Sequence, residues 1–249
     1  MLEIVERHIN FSRNIFKGVI KIVKRKNKFL NKIFVEQLYL FGALSFPMVA
    51  IVSFFLGVVL TFQLVPELRR FGSESVTGGL IMIAAAREVA PVLVSIMIAG
   101  RMGSSMAAEL GSMKITDQID ALKLMGANPI RYLVSPRVLS GAIMMPFLTA
   151  ISIFMIAFAS YILAVEVYGI AWGTFLTRIS AIMGPKDVIG GVFKSIFFGI
   201  GITYVSCYLG ITLKGRSTEV GKATTSSVAI SIILVIFLDM ILSYIIFKK

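Results

Sequence analysis

The sequence predicts an all-α membrane protein, with an N-terminal interfacial amphipathic helix, five transmembrane helices and a short cytoplasmic helix between the second and third spans. Three observations predict it. Of the 249 residues, 57% are hydrophobic and only 15% charged, against about 25% in a soluble domain. Two long runs, between Glu36 and Glu67 and from Val138 to Val165, carry no charge, and about 20 apolar residues suffice to cross a bilayer. The densest interior polarity gathers in one island, Gly100 to Arg137, which must face water or a partner. The chain reads as a single membrane domain, with an amphipathic arm over residues 1–36 and a five-span bundle over 41–247.

Residues 1–32 place Arg13, Lys17, Lys21, Lys24 and Lys28 at spacings of three or four, with Phe11, Ile15, Phe16, Val19, Ile20 and Val23 on the other side. This is a basic amphipathic helix lying in the membrane interface, because a solvated helix would leave six large apolar residues wet. It lacks the continuous apolar run and small-residue cleavage site of a signal peptide. The first span is expected near 41–65, kinked or started by Pro47. A short loop, 66–77, carries Glu67, Arg69, Arg70 and Glu74. The second span, Thr77 to Ala108, contains Arg87, Glu88, Pro91 and Arg101. From Ala99 its small residues repeat every four positions (Ala99, Gly103, Ala107, Gly111, with Gly100, Ser104 and Ala108 beside them), which lets helices approach closely. Val138 to Val165 is the third span. A surface loop of about 20 residues with Tyr168, Trp172 and Phe175 is expected to follow it. The fourth, Asp187 to Leu213, carries Lys194 and a face of Gly191, Ser195, Gly199, Thr203 and Cys207. The fifth, Thr224 to Phe247, carries Asp239, and five spans put the termini on opposite sides.

Within the island, residues Ile115, Thr116, Asp117, Gln118, Ile119, Asp120, Ala121, Leu122, Lys123, Leu124 and Met125 predict a short amphipathic helix of about ten residues. Thr116 and Asp117 offer an N-cap and a first-turn acid, Ile119, Leu122 and Met125 recur every three residues, and Gly126 with Asn128-Pro129 supplies the stop. So short a helix is marginal alone and must dock its apolar stripe. It packs either on its own bundle or in a groove of another protein, and spacing alone does not separate the two. With the N-terminus inside, sixteen Lys and Arg fall on inner segments and six on outer ones, so the island is cytoplasmic.

Ionisable groups at membrane depth are costly and default to functional roles. Lys194 and Asp239 both lie roughly 10 to 12 Å below the outer surface at 1.5 Å per residue, so they can pair, and Arg87 and Glu88 lie near 15 Å. These four charges either fix helix register or line a cavity for an amphiphile or ion. A net charge of +12 is explained by anionic headgroups and the positive-inside bias. No basic and aromatic platform for nucleic acid is present. The single Cys207 and single His8 offer no disulfide framework, no metal site and no acyl-transfer centre. The segment GRSTEVGK at 215–222 departs from a phosphate-binding loop in glycine spacing, in Ala223 replacing Ser or Thr, and in lacking a preceding strand. No catalytic residue is assigned.

Several unusual segments occur together: AREVAP at 86–91, AGRMGSSMAAELGSMKITDQIDALKLMG at 99–126, NPIRYLVSPR at 128–137, FKSIFFG at 193–199 and EVGKATTSSV at 219–228. In this order they resemble the MlaE-type permeases of Mce-associated lipid ABC transporters, from the second span to the start of the fifth. The resemblance implies a permease subunit, not itself an enzyme, that moves phospholipids or related lipids between membranes as a homodimer. Its implied partners are a cytoplasmic ABC ATPase that binds the ATP and Mg, an MCE-domain lipid-binding protein and, in many systems, a STAS-domain protein. It also implies a bacterial inner membrane with the N-terminus cytoplasmic, a plastid inner envelope being the lesser option. Residues 115–125 then correspond to the coupling helix, with Asp117 where many relatives have Glu, and the family's intramembrane charges fall on Glu88, Lys194 and Asp239. An ion-coupled secondary carrier using those charges is the competing expectation, and a lipid enzyme is a distant third. Neither the lipid headgroup nor the direction of transport is readable from the sequence.

Overall fold

A computed structural model describes residues 2–24, 28–213 and 217–248. Among the described residues there is no strand. Five helical stretches are long and apolar enough to cross a membrane: Asn31–Arg70, Glu74–Ile115, Ile130–Val167, Pro185–Ile211 and Thr218–Phe247. This is the all-α membrane architecture that the charge-free runs predict.

The N-terminal arm, predicted as one helix over 1–32, is two elements, α1 (Leu2–Val23) and α2 (Lys28–Leu38), with residues 25–27 outside the described part. Its apolar side is also divided. Phe11, Ile15 and Ile22 are buried against protein, whereas Ile9, Phe16, Ile20 and Val23 remain exposed. Helix α3 (Phe46–Arg70) has Pro47 in its first turn, so this proline starts the helix, where its missing N–H costs nothing. The helix passes Pro66 and outlasts its expected end at 65, with Arg70 reaching back 3.1 Å to Glu67 one turn earlier.

The second span comprises α4 (Thr77–Ala84), α5 (Ala90–Ile98) and α6 (Ser104–Ile115), joined by π-helical turns at Ala85–Val89 and Ala99–Gly103. It therefore runs past Ala108 to Ile115. After α7 (Gln118–Leu124), the third span is α8 (Ser135–Ile162), flanked by π turns at Ile130–Val134 and Leu163–Val167. The surface loop expected next contains a helix, α9 (Trp172–Ile182). Composition hid it because glycines at 169, 173 and 184 break the pattern around it. Contact explains it: Phe175 and Ile182 of α9 lie over Gly78 and Gly79 of α4, where added β-carbons would collide with them. Helices α10 (Pro185–Ile211) and α11 (Thr218–Phe247) complete the bundle. Of the loop-like segment 215–222, residues 215 and 216 lie outside the described part, and Thr218 onward forms the first turn of α11.

The chain divides into two compact units, Met1–Leu44 with Ser95–Met144 and Ile196–Val235, and Ser45–Val94 with Met145–Ser195 and Ile236–Lys249. In the first, the small-residue repeat is used on one face: Ala99, Gly103 and Ala107 are buried, and a β-carbon on Gly103 would meet the Ser206 hydroxyl. Ser227 Oγ lies 2.7 Å from Ser206 Oγ in the same seam, whereas Gly100 on the other face has open space beside it. In the second unit a core of Ile81, Ala85, Ala86, Ile153 and Ile156 is flanked by a buried Ser53–Ser152 hydroxyl pair at 2.7 Å. Gly191 of α10 lies directly against the carbonyl of Ala86, so the fourth span approaches the second as closely as backbone allows.

Candidate functional site

The second unit holds a charged centre inside the apolar bundle. Lys194 of α10 has no exposed surface. Its Nζ donates to Glu88 Oε2 at 2.8 Å, Asp239 Oδ1 at 2.7 Å and Ser243 Oγ at 2.7 Å. These three bonds use the whole donor capacity of an ammonium, the condition under which burying one is tolerable. Ser243 Oγ in turn donates to Glu88 Oε1 at 2.8 Å and closes the ring. Each member is placed by its helix. Glu88 lies in the π turn Ala85–Val89, where the wider coil re-aims side chains and which often marks a functional position. Asp239 and Ser243 are four residues apart on α11, hence one above the other on one face.

The centre is graded in its access. Lys194 is sealed, the Asp239 side chain is 19% exposed and that of Glu88 is 44% exposed. A carboxylate oriented by a buried cation therefore stands at an accessible surface. Chemically, such a group can accept a hydrogen bond, hold a cation or a proton, or receive an amine-bearing headgroup.

Of the four predicted charges, three meet. Arg87 does not join them; its guanidinium binds Asp187 Oδ1 at 2.7 Å. Asp187 is nearly buried in the first turn of α10, where the helix dipole favours an anion, and its other oxygen accepts the Gly184 N–H at 2.7 Å. The aromatic ring of Phe247 connects the two ion sets, with Arg87 Cζ 4.8 Å and Lys194 Nζ 5.6 Å from its centroid. Sequence reasoning missed Ser243, Asp187 and Phe247. Ser243 had a readable signal, its four-residue spacing from Asp239. Asp187 and Phe247 stand at helix ends, where spacing gives no partner.

The polar island contributes a second candidate site, in the first unit. Helix α7 is seven residues long, shorter than the ten expected, and Thr116 does not cap it. Thr116 instead ends α6, its Oγ1 donating to the Ser112 carbonyl at 2.9 Å. The turn is made by Asp117 at φ +58°, a left-handed conformation that Asp tolerates better than most residues. The helix is pinned by buried Ile119 and by Asp120, whose carboxylate binds Lys114 at 2.6 Å and Lys123 at 2.7 Å. The hydrogen bonds from Lys114 and Lys123 lower the Asp120 carboxyl from 3.8 to about 2. The expected stripe is only partly packed: Ile119 is buried and Leu122 half-buried, while Met125 is 73% and Leu124 90% exposed. The stop is as predicted, with Gly126 at φ +77° and the Asn128 side chain accepting the N–H groups of Ile130 and Arg131.

Five apolar spans, with an ionic centre buried in the second unit and a short helix exposing apolar side chains in the first, define a multi-pass membrane protein. The family described as Permease MlaE matches residues 34–245. The chain is 36% identical over 230 residues to Protein TRIGALACTOSYLDIACYLGLYCEROL 1, chloroplastic, of Arabidopsis thaliana, covering 92% of this chain but only 65% of that longer relative. It is 37% identical to a probable ABC transporter permease protein of Rickettsia conorii, covering 96% of this chain and 92% of the relative. A probable ABC transporter permease protein of Synechocystis is 35% identical over 86% of this chain and 81% of its own length. The chain belongs to the MlaE permease family.

Proposed function

We propose that this chain is the transmembrane permease subunit of an ABC transporter that moves phospholipids or related lipids between membranes. The observation that carries the reading is α7, tied down by Ile119 and Asp120 while Leu124 and Met125 stand in solvent, as a lever worked by a partner requires. A separate cytoplasmic ABC ATPase binds the ATP and Mg and supplies the energy. ATP-driven closure of that ATPase pushes on residues 115–125 of each protomer in a homodimer and changes the width of a central lipid cavity. Glu88 and Asp239, oriented by the buried Lys194, supply the polar contacts for the lipid, and family membership together with a relative named for a galactolipid supports the substrate class. An MCE-domain protein on the outer side and a STAS-domain protein complete the assembly, in a bacterial inner membrane with the N-terminus cytoplasmic.

The test is lipid transfer between vesicles by the complex of the chain with its ATPase. Transfer that needs ATP and is lost with Leu124→Asp supports the reading. Transfer that persists without ATP and collapses with the proton gradient supports a secondary carrier instead. That second reading has its own observation, two carboxylates on one ammonium with Glu88 accessible.

A further inference from the structure

We propose that the cavity beneath α1 binds one acyl chain of an anionic phospholipid, distinct from any lipid being transported, and that this bound lipid fastens α1 to the first unit. The cavity measures about 320 Å³ and is lined by Ser12, Val19, Val138, Ala142, Ile200 and Tyr204 with almost no polar surface. It is a built feature, because α1 is fixed to the protein on both sides of it. Toward the N-terminus, His8 stacks on Tyr208 at 4.2 Å and approaches Tyr204 Oη at 2.9 Å, with Phe11 edge-on to both tyrosines. Toward the C-terminus, Ser135 Oγ donates to the Ile15 carbonyl at 3.1 Å and fills the space beside Gly18. Arg131 reaches Asn14 Oδ1 at 3.0 Å. Beside these fixings an apolar space remains between α1 and Val138 and Ala142 of α8 and Ile200 and Tyr204 of α10, which water fills poorly.

The helix itself says what fills it. At about 100° per residue, four rows follow one another around α1. The buried row, Phe11, Ile15 and Ile22, is followed by the cavity row, Ser12 and Val19. Next comes the exposed apolar row, Ile9, Phe16, Ile20 and Val23, and then the exposed basic row, Arg13, Lys17, Lys21 and Lys24. Phe16 also lines the cavity while remaining 68% exposed, so the cavity opens on the bilayer-facing side. A phospholipid lying across the apolar row places its phosphate on the basic row and one tail in the cavity. Basic residues near anionic lipid attract the phosphate, and burying the tail's CH₂ groups in the cavity removes them from water. A zwitterionic lipid fits the slot but loses the first contribution.

The full-length protein is reconstituted in phosphatidylcholine vesicles doped with phosphatidylglycerol carrying a photoreactive diazirine in one tail, and labelled peptides are located by mass spectrometry. Labelling of segments 12–19 and 138–142 is expected several-fold above that of the exposed Ile233, Ile236 and Phe237 of α11. It falls to that background in Ala142→Phe, whose ring occupies the cavity. A phosphatidylcholine probe, or the combined substitutions Arg13→Gln, Lys17→Gln and Lys21→Gln, lowers it several-fold. Labelling no higher than the background, labelling unchanged by Ala142→Phe, or equal labelling by the two probes overturns the proposal. Val19→Trp fills the same space from the α1 side and replaces Ala142→Phe if that variant fails to insert. No arm uses the ATPase or lipid transfer, so the outcome is independent of the transport reading.

Discussion

Lys194 is the residue on which the ionic centre depends, since it is sealed from solvent and satisfies two carboxylates and a hydroxyl at once. Removing one partner of a buried ion set leaves uncompensated charge, typically costing about 3–5 kcal/mol, whereas replacing the set by apolar groups is often neutral. Lys194→Met is therefore expected to lower the thermal midpoint of the purified protein strongly, and adding Asp239→Asn to restore part of it. Glu88→Gln keeps the shape and the accessible edge, so it is expected to change stability little and to reduce lipid transfer; normal transfer would reduce Glu88 to a structural role. The same scale shows where sequence stopped. Depth along a helix identified Lys194, Glu88 and Asp239, but Arg87 lies one residue from Glu88 and faces Asp187, a difference of direction that spacing from the membrane edge does not contain.

At the scale of elements, the contact of α10 with the second span is set by Gly191. A β-carbon there would run into the backbone carbonyl of Ala86, which has no rotamer to yield, so Gly191→Ala is expected to cost about 1–3 kcal/mol by overpacking, read as a lowered thermal midpoint. Helix α7 makes the opposite case, an element whose exposed face carries the proposed role. Leu124→Asp is expected to abolish co-purification with the ATPase while leaving insertion and thermal midpoint unchanged, because Leu124 contacts little of its own chain. Asp120 sets the pH range over which α7 is fastened. Its carboxyl is held below its ordinary value, so the ion pairs contribute fully above pH 3.8 and are lost as pH falls toward about 2. Amide exchange of residues 118–124, corrected for intrinsic rates, is expected to be flat from neutral pH to about 4; loosening already at pH 5 would mean Asp120 is not the fastening group. Asp117 fits the left-handed turn before α7, so Asp117→Gly is expected to be tolerated and Asp117→Val to weaken α7 in the same measurement.

At the scale of the whole molecule, the ionic centre and α7 lie in different compact units. Their losses are expected to separate: Glu88→Gln removes transfer with ATPase binding intact, and Leu124→Asp removes ATPase binding with the ionic centre intact, measured by co-purification and by lipid transfer on the same preparations. Loss of ATPase binding in Glu88→Gln would show that the charges serve assembly. The sequence by itself determined the number of spans and the residues whose charge is out of place. Those follow from transfer free energies that add along the chain and need no partner. The tertiary structure alone decided which charges meet, that α9 is a helix, that α7 leaves Leu124 and Met125 uncovered, and that α1 stands off a cavity. Those depend on which helices become neighbours and on backbone approach at Gly78, Gly79 and Gly191, long-range relations that local periodicity does not encode.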